Sequence, residues 1–545
     1  MAVEVFELFV TQQKKHAQTL AGIAGIVAAA TLLSKLVALV RQQAIAAAFG
    51  TDEAFNAYNY AYLIPGFLLV LLGGVNGPIH SAIVSVLAKR DKGEAAHLVE
   101  TVSTLVSAVL LLLAIGLFCF ADFFIYLVGP KLSSTAHAIA TQQLQIMAPM
   151  AILAGLIGIG FGTLNTANQY WLLSISPVFS SITIIIGIGI LYLQLGNKLL
   201  SPQYALLGGQ VLAWGTLAGA ILQWLVQLIV QWRLKLGSLR LRFDFHSPAV
   251  KEVIKLMGPA IFASGMLQIN LYTDMFFASG IPGAAAAFNY ANLLVQTPLG
   301  IISNVILLPL LPMLSQLTDP ADWGSLKLRI RQGLLLSAIT MLPLGALFVA
   351  LAVPIVQVIF ERGAFDPAAS KLVASVLAAY GIGMFVYLGR DVLVRVFYAL
   401  GDGDTPFRVS LFSILLNALL DFILVKPFGA PGITLATVGV NIISTILFLL
   451  LLDRKLNKLP LQQWSVPILS LTAASFLAGL ASWSILWSCQ HLWGSKGLLL
   501  QLLQLSLSGI VGIGIFGAIA AQMKLPEVDL FMSRLRQRFI RGARN

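Results

Sequence analysis

Residues Leu20 to Phe49 read LAGIAGIVAAATLLSKLVALVRQQAIAAAF, a run of 30 residues without one acid. At 1.5 Å per residue a helix of that length extends about 45 Å, more than the ~30 Å of a bilayer's hydrocarbon. The run therefore reads as a membrane span. Its anomaly is Ser34-Lys35-Leu36-Val37-Ala38-Leu39-Val40-Arg41, which sets two cations six residues apart among apolar neighbours. A cation in hydrocarbon is costly, so such residues face a bundle interior or a water-filled cavity and mark function. A second reading has Lys35 snorkelling and Arg41 near a membrane surface.

Outward from this span the pattern repeats. The chain has 545 residues, 58% hydrophobic and 10% charged, against roughly 25% charged in a soluble domain. Fourteen spans are expected, centred near residues 34, 72, 114, 150, 184, 217, 267, 302, 345, 384, 417, 442, 476 and 510. The fold class is thus an all-α polytopic membrane protein. No cleavable signal peptide is expected: Met1 to Thr19 is polar and amphipathic, and the first apolar run is too long for an h-region. With both termini cytoplasmic, cytoplasmic segments hold 23 Lys and Arg, outer loops hold 6, and 5 lie within spans. That asymmetry sets the orientation by the positive-inside rule. The net charge of +12 then reflects topology and attraction to membrane lipids, not nucleic acid. Arg534, Arg536, Arg538, Arg541 and Arg544 read as a membrane-surface anchor of this kind. Cys119 and Cys489 read as small buried hydrophobes.

The longest cytoplasmic loop carries Arg233, Lys235, Arg240 and Arg242 and separates two groups of six spans. The groups resemble each other. Asn59-Tyr60-Ala61-Tyr62-Leu63 matches Asn289-Tyr290-Ala291-Asn292-Leu293 at an offset of 230, and Phe161 to Asn165 echoes Phe397 to Gly401 at 236. Six spans per copy is even, so both copies enter the membrane the same way, as a parallel repeat with its substrate site between lobes. The expected boundaries are a segment 1–19, an N-lobe 20–232 (spans 1–6), a linker 233–251, a C-lobe 252–455 (spans 7–12), spans 13–14 in 456–523, and a tail 524–545.

Nothing reads as a soluble enzyme. No Gly-rich phosphate loop with a following Lys is present, and the six histidines lack metal-ligand spacing. His80 reads as a buried, hydrogen-bonded residue. A second polar group spreads over three spans: Asp274 in span 7, Asn417 and Asp421 on one helix face of span 11, and Thr437 in span 12. These hard oxygen ligands suit a monovalent cation such as Na⁺, and the two acids could equally relay H⁺. The rival reading pairs Asp421 with Lys426. In span 10, Arg390, Asp391 and Arg395 read as a structural ion pair, with Arg395 at i+4 from Asp391. A substrate contact is the second reading. Glu361-Arg362-Gly363 and Asp366 read as a solvated turn able to gate the outer mouth.

These segments resemble the MurJ (MviN) family, the lipid II flippases of the multidrug/oligosaccharidyl-lipid/polysaccharide exporter superfamily. The resemblance rests on Ser34 to Arg41 with Phe49-Gly50, Phe161 to Asn168 with Ser176-Pro177-Val178, and Phe360-Glu361-Arg362-Gly363-Ala364-Phe365. It continues through Phe397 to Asp402 with Thr405-Pro406, Asn417 to Asp421, and Gly432 to Thr437. It implies a two-lobe transporter in the bacterial plasma membrane, moving a polyprenyl-pyrophosphate-linked glycan outward by alternating access. It also implies a cavity cation at Arg41, with Lys35 in place of a frequent arginine, and a C-lobe cation site at Asp274, Asn417, Asp421 and Thr437 with the Ile433 carbonyl. No cofactor is expected beyond the coupling ion, and cell-wall synthesis machinery is an expected partner.

Departures from the family pattern bear on the cargo. Leu69, Val70 and Leu293 stand where the family shows arginines, Gly74 where it shows an acid, and Asn56 where an acid is usual. A pyrophosphate calls for several fixed cationic donors. The expected substrate contacts are therefore Lys35 and Arg41, with help from Asn56, Asn59, Asn76 and Asn292. The alternatives are a paralogue exporting another lipid-linked saccharide or amphipathic compound, and a non-transporting scaffold of envelope synthesis.

Overall fold

The computed structural model describes residues 20–527 apart from 75, 76, 245, 267, 495 and 496. The described residues form helices with no strand. The first group comprises α1 (Leu20–Phe49), α2 (Glu53–Leu71), α3 (Pro78–Leu87), α4 (Lys92–Cys119), α5 (Ala121–Val128), α6 (Ser134–Met147), α7 (Met150–Thr166), α8 (Tyr170–Ile175), α9 (Pro177–Leu195) and α10 (Ala205–Arg233). After the linker come α11 (Pro248–Met266), α12 (Ile269–Ala278), α13 (Ala284–Ser315), α14 (Trp323–Ala350), α15 (Ala352–Phe360), α16 (Pro367–Ala399), α17 (Asp404–Phe428) and α18 (Ala430–Lys455). Helices α19 (Leu461–Trp493) and α20 (Leu498–Gln522) complete the bundle and pack against α14.

Among the described residues, twelve helical stretches are long and apolar enough to span a membrane, and α6 with α7, bent by 44°, make a thirteenth. Pro149 sits at that bend, where a ring without an N–H interrupts the helix ladder. The expected centre at 72 falls on a break, because Gly73, Gly74, Gly77 and Pro78 stop α2 and start α3 anew. The expected seventh span falls on α11 and α12, and α11 carries Lys251, Glu252 and Lys255 in its first turns. Val250 and Val253 on α11 pack among Ala82, Ile83 and Leu98 of the first group, and Glu252 bonds Lys89 and Arg90 at 3.4 and 3.3 Å. Helix α12 lies against α17 and α18 and also touches α5 of the first group. Cys489 is buried as expected, whereas Cys119, at the end of α4, is exposed. The basic tail and Met1 to Thr19 lie outside the described residues.

Candidate functional site

The two lobes meet along a seam that realises the sequence repeat. Asn289 Nδ2 donates to Asn59 Oδ1 at 2.7 Å, and the Ala286 N–H donates to Asn56 Oδ1 at 3.3 Å. Both partners in each bond are 230 residues apart, the repeat offset. Equivalent residues of two copies touch only close to the axis relating them, so these bonds locate a pseudo-two-fold axis. The tyrosines of the repeated motif reciprocate: the Tyr290 hydroxyl donates to Gly50 O at 2.8 Å and the Tyr60 hydroxyl to Met275 O at 3.4 Å.

The seam is closed at one end of the bundle, here termed the sealed end. Gln42 Nε2 donates to Asn289 Oδ1 at 2.9 Å, and the Ala364 N–H donates to Ala47 O at 2.8 Å. Gly50 and Gly363 both adopt positive φ, +52° and +60°, and a Cβ on Gly363 would lie 2.3 Å from Ala47 O. Only glycine permits that approach in that conformation. Behind it Tyr290 packs on Phe55, Phe360 and Phe365 with ring centroids 5.0–5.2 Å apart, all fully buried. Among the described residues, every hydrogen bond from α1 or α2 to α13 lies at this end. The turn after α15 is exposed at Arg362, Gly363 and Asp366, as expected of a solvated turn, and is held by its own hydrogen bonds: Arg362 donates to the Val358 and Ile359 carbonyls, Glu361 accepts from Ser370, and Asp366 caps the Ala369 N–H.

This geometry corrects part of the expected cavity. Asn56 and Asn59 are buried and their Oδ1 atoms accept across the seam, because they occupy the axis. Asn289, the repeat mate of Asn59, is exposed instead; the repeat itself was the signal that could have singled it out. Asn292 is exposed on α13, and Asn76 lies outside the described residues. Lys35 is exposed and its ammonium faces α13, since a Cβ on Gly300 would lie 3.9 Å from Nζ. Arg41 is half-buried, close enough to Tyr58 and Tyr62 to act on their phenols, and its Nε is buried with no hydrogen-bond partner. Six residues apart, the two cations point about 120° apart around α1, towards different walls of the inter-lobe space. Neither has an acid within salt-bridge distance among the described residues.

The oxygen cluster does assemble. Asn417 Nδ2 donates to Asp274 Oδ1 at 2.6 Å and to Asp421 Oδ2 at 2.9 Å, and Thr437 Oγ1 reaches Asp274 Oδ2 at 3.4 Å and Ile433 O at 3.3 Å. Asn417 and Asp421 are buried, and Asp421 Oδ1 has no partner. Helices α17 and α18 approach closely here because Gly432 lacks a Cβ, which would otherwise meet Leu424 O at 2.2 Å. Lys426 turns away to lie 4.9 Å over the Phe422 ring, so the rival pairing with Asp421 does not form. Tyr380 and Tyr387, one heptad apart on α16, also lie within electrostatic reach of Asp274, and the Tyr387 hydroxyl is buried without a partner. Sequence reasoning missed both; their spacing in an apolar span was the available signal.

Two further expectations meet the structure differently. His80 is buried and lies 2.8 Å from Asn165 Nδ2, as expected. The ion pair of span 10 does not form: Arg395 Nη1 donates to Leu307 O at 2.7 Å and Arg390 lies 5.9 Å over the Phe448 ring. Asp391 itself is exposed, and neither guanidinium lies within salt-bridge distance of it. Among the described residues no three His, Cys, Asp or Glu are grouped to hold a metal ion.

Two helical lobes related about an axis along the bundle, and closed on each other at one end, have the architecture of a two-lobe membrane transporter. The profile of the family "Lipid II flippase MurJ" matches residues 45–504. The "Probable lipid II flippase MurJ" of Synechocystis sp. is 58% identical over 97% of this chain and 99% of its own length. The "Lipid II flippase MurJ" of Burkholderia cenocepacia is 30% identical over 83% and 88%. The chain belongs to the MurJ family of lipid II flippases. Its fold is similar to a solved "Lipid II flippase MurJ, inward closed conformation", with TM-score 0.71, 24% identity, and coverage of 90% of this chain and 98% of that one. It is also similar to an inward-facing multidrug resistance MATE family transporter, with TM-score 0.56, 16% identity, and coverage of 80% and 98%.

Proposed function

We propose that this chain moves undecaprenyl-linked peptidoglycan precursor, lipid II, across a bacterial plasma membrane by ion-coupled alternating access. The observation that carries this reading is the pair of uncompensated cations, Lys35 and Arg41, beside a seam whose hydrogen bonds from α1 and α2 to α13, among the described residues, all lie at one end. A cation at membrane depth without an acid calls for an anionic partner, and a pyrophosphate supplies one. With both termini cytoplasmic, as the 23-to-6 distribution of Lys and Arg argues, the sealed end faces outward and the cations wait on the cytoplasmic side of it. Lys35 and Arg41 then hold the pyrophosphate from two walls, with Asn292 on α13 offering its amide to the sugar portion. The lobes comprise residues 20–232 and 252–455 in this reading, and cell-wall synthesis machinery is the partner class that would supply and consume the cargo.

The residues around Asp274 fit a monovalent cation: two carboxylates, a hydroxyl and a carbonyl are hard oxygens, and Asp421 Oδ1 lacks a partner. Two carboxylates this close cannot both stay charged without a cation or a proton between them. Asn417 Nδ2 bridges them; Na⁺ would require its amide turned to present Oδ1, whereas H⁺ would not. Asp274 sits on α12, and α12 is two residues from α11, which packs on the other lobe. Neutralising the cluster therefore acts on an element continuous with both lobes, which is how ion binding would reset the seam. The test is complementation of a strain depleted of its own lipid II flippase: growth is expected, and failure despite full membrane expression refutes the lipid II assignment.

A further inference from the structure

The linker between the lobes is bolted to the flank of α4. Gly237 runs beside Val99, where a Cβ would lie 3.0 Å from the valine side chain. Ser238 donates through its backbone N–H and its hydroxyl to Glu100 Oε1 at 3.0 and 2.6 Å. Arg242 donates from Nε to Glu100 Oε2 at 2.5 Å and from its N–H to Thr104 Oγ1 at 3.1 Å. Glu100 is buried beneath this strap.

Depth along α4 follows from the helix rise. Thr104 is 15 residues, about 22 Å, from Cys119 at the far end of the helix, within the ~30 Å of a hydrocarbon layer. The exposed apolar belt of α4, with Val109, Leu112 and Ile115, begins at Val109, little more than one turn beyond Thr104. The strap thus lies at the boundary between hydrocarbon and headgroups, and does not hang in the aqueous phase. From Gly237 to Asp244 the strap is neither helix nor strand and bends at Leu239. Ser238 and Arg242 face α4, while Leu239, Leu241 and Phe243 face away, 69%, 76% and 70% exposed. Basic residues Arg233, Lys235 and Arg240 flank this apolar edge.

We infer that the linker is an interfacial lipid anchor: Leu239 and Leu241 insert into the leaflet on the linker's side, and Lys235 and Arg240 hold anionic phospholipid headgroups. Apolar side chains at headgroup depth beside lysine and arginine are the chemistry that binds an anionic leaflet. Anchored so, the linker keeps a fixed depth while the lobes it joins move.

The test uses the full chain with Cys119→Ser and Cys489→Ser, carrying Leu241→Cys labelled with an environment-sensitive NBD probe. A second reporter is placed at Leu239→Cys and a control at Arg240→Cys. The protein is reconstituted in phosphatidylcholine vesicles with and without phosphatidylglycerol, with brominated acyl chains in one series. Probes at 239 and 241 are expected to emit blue-shifted light that brominated chains quench and aqueous iodide does not, more strongly with phosphatidylglycerol and more than the probe at 240. Red-shifted emission quenched by iodide at 239 and 241 overturns the inference. So does blue-shifted emission indifferent to bromine, which would mean that protein, such as Met1 to Thr19, covers the edge.

Discussion

Asn289→Ala should loosen the sealed end measurably. The amide accepts from Gln42 at 2.9 Å and donates to Asn59 at 2.7 Å, and both of those neighbours are buried. Removing it leaves one donor and one acceptor without partners. Each bond is worth about 1 kcal/mol net in water-soluble proteins and ~0.6 kcal/mol between membrane helices. The loss is therefore about 1.2–2 kcal/mol, roughly a 7- to 30-fold shift from sealed to open. The assay is pulsed electron resonance between nitroxides at Thr135 and Lys371, exposed positions at the sealed ends of α6 and α16. It is run in the Cys119→Ser, Cys489→Ser background under conditions where both distance populations are visible. A longer distance should gain weight in Asn289→Ala, and Gln42→Ala with Asn289→Ala should be less than additive. An unchanged distribution, or full additivity, would refute the seam as the element that holds the lobes.

Gly363→Ala should also open the sealed end, because the new Cβ meets Ala47 O at 2.3 Å and the left-handed backbone alone costs about 1–2 kcal/mol; the same distance measurement checks it. Arg41→Ala and Lys35→Ala should each reduce complementation with membrane expression intact, and the pair should abolish it, as growth of the depleted strain reports. Asp274→Asn and Asp421→Asn should remove the dependence of transport on an ion gradient, read by comparing initial rates with and without that gradient. Asp402 accepts from Lys455 at 2.6 Å; burial pushes its carboxyl up, but Lys455 and Thr405 outweigh this and hold it below the usual range. Its contribution is present above the ordinary carboxylate value and lost as pH falls through the depressed one. Asp402→Asn should therefore lower thermal stability at neutral pH and converge with the parent in acid.

The sequence was most legible where residue type alone decides position. The oxygen ligands of spans 7, 11 and 12 converge because a buried carboxylate admits few partners, and the Asn59 and Asn289 motifs announced the repeat. What the sequence did not disclose was the consequence of that repeat: identical positions close to an axis face each other, so Asn56 and Asn59 are occupied by the seam. Helix spacing placed Arg395 one turn from Asp391, yet the guanidinium reaches across to Leu307 O, a choice set by packing between distant spans. Gly73, Gly74 and Pro149 were readable as breaks, but apolar run length hid them.

Translocation itself is the most direct measure of what Lys35 and Arg41 do. Purified protein in vesicles, given fluorescent lipid II on one face under an ion gradient, should carry it to the other face faster than protein-free vesicles. The Lys35→Ala, Arg41→Ala variant should not. Wild-type protein no faster than bare lipid, or a double variant as fast as wild type, would contradict it.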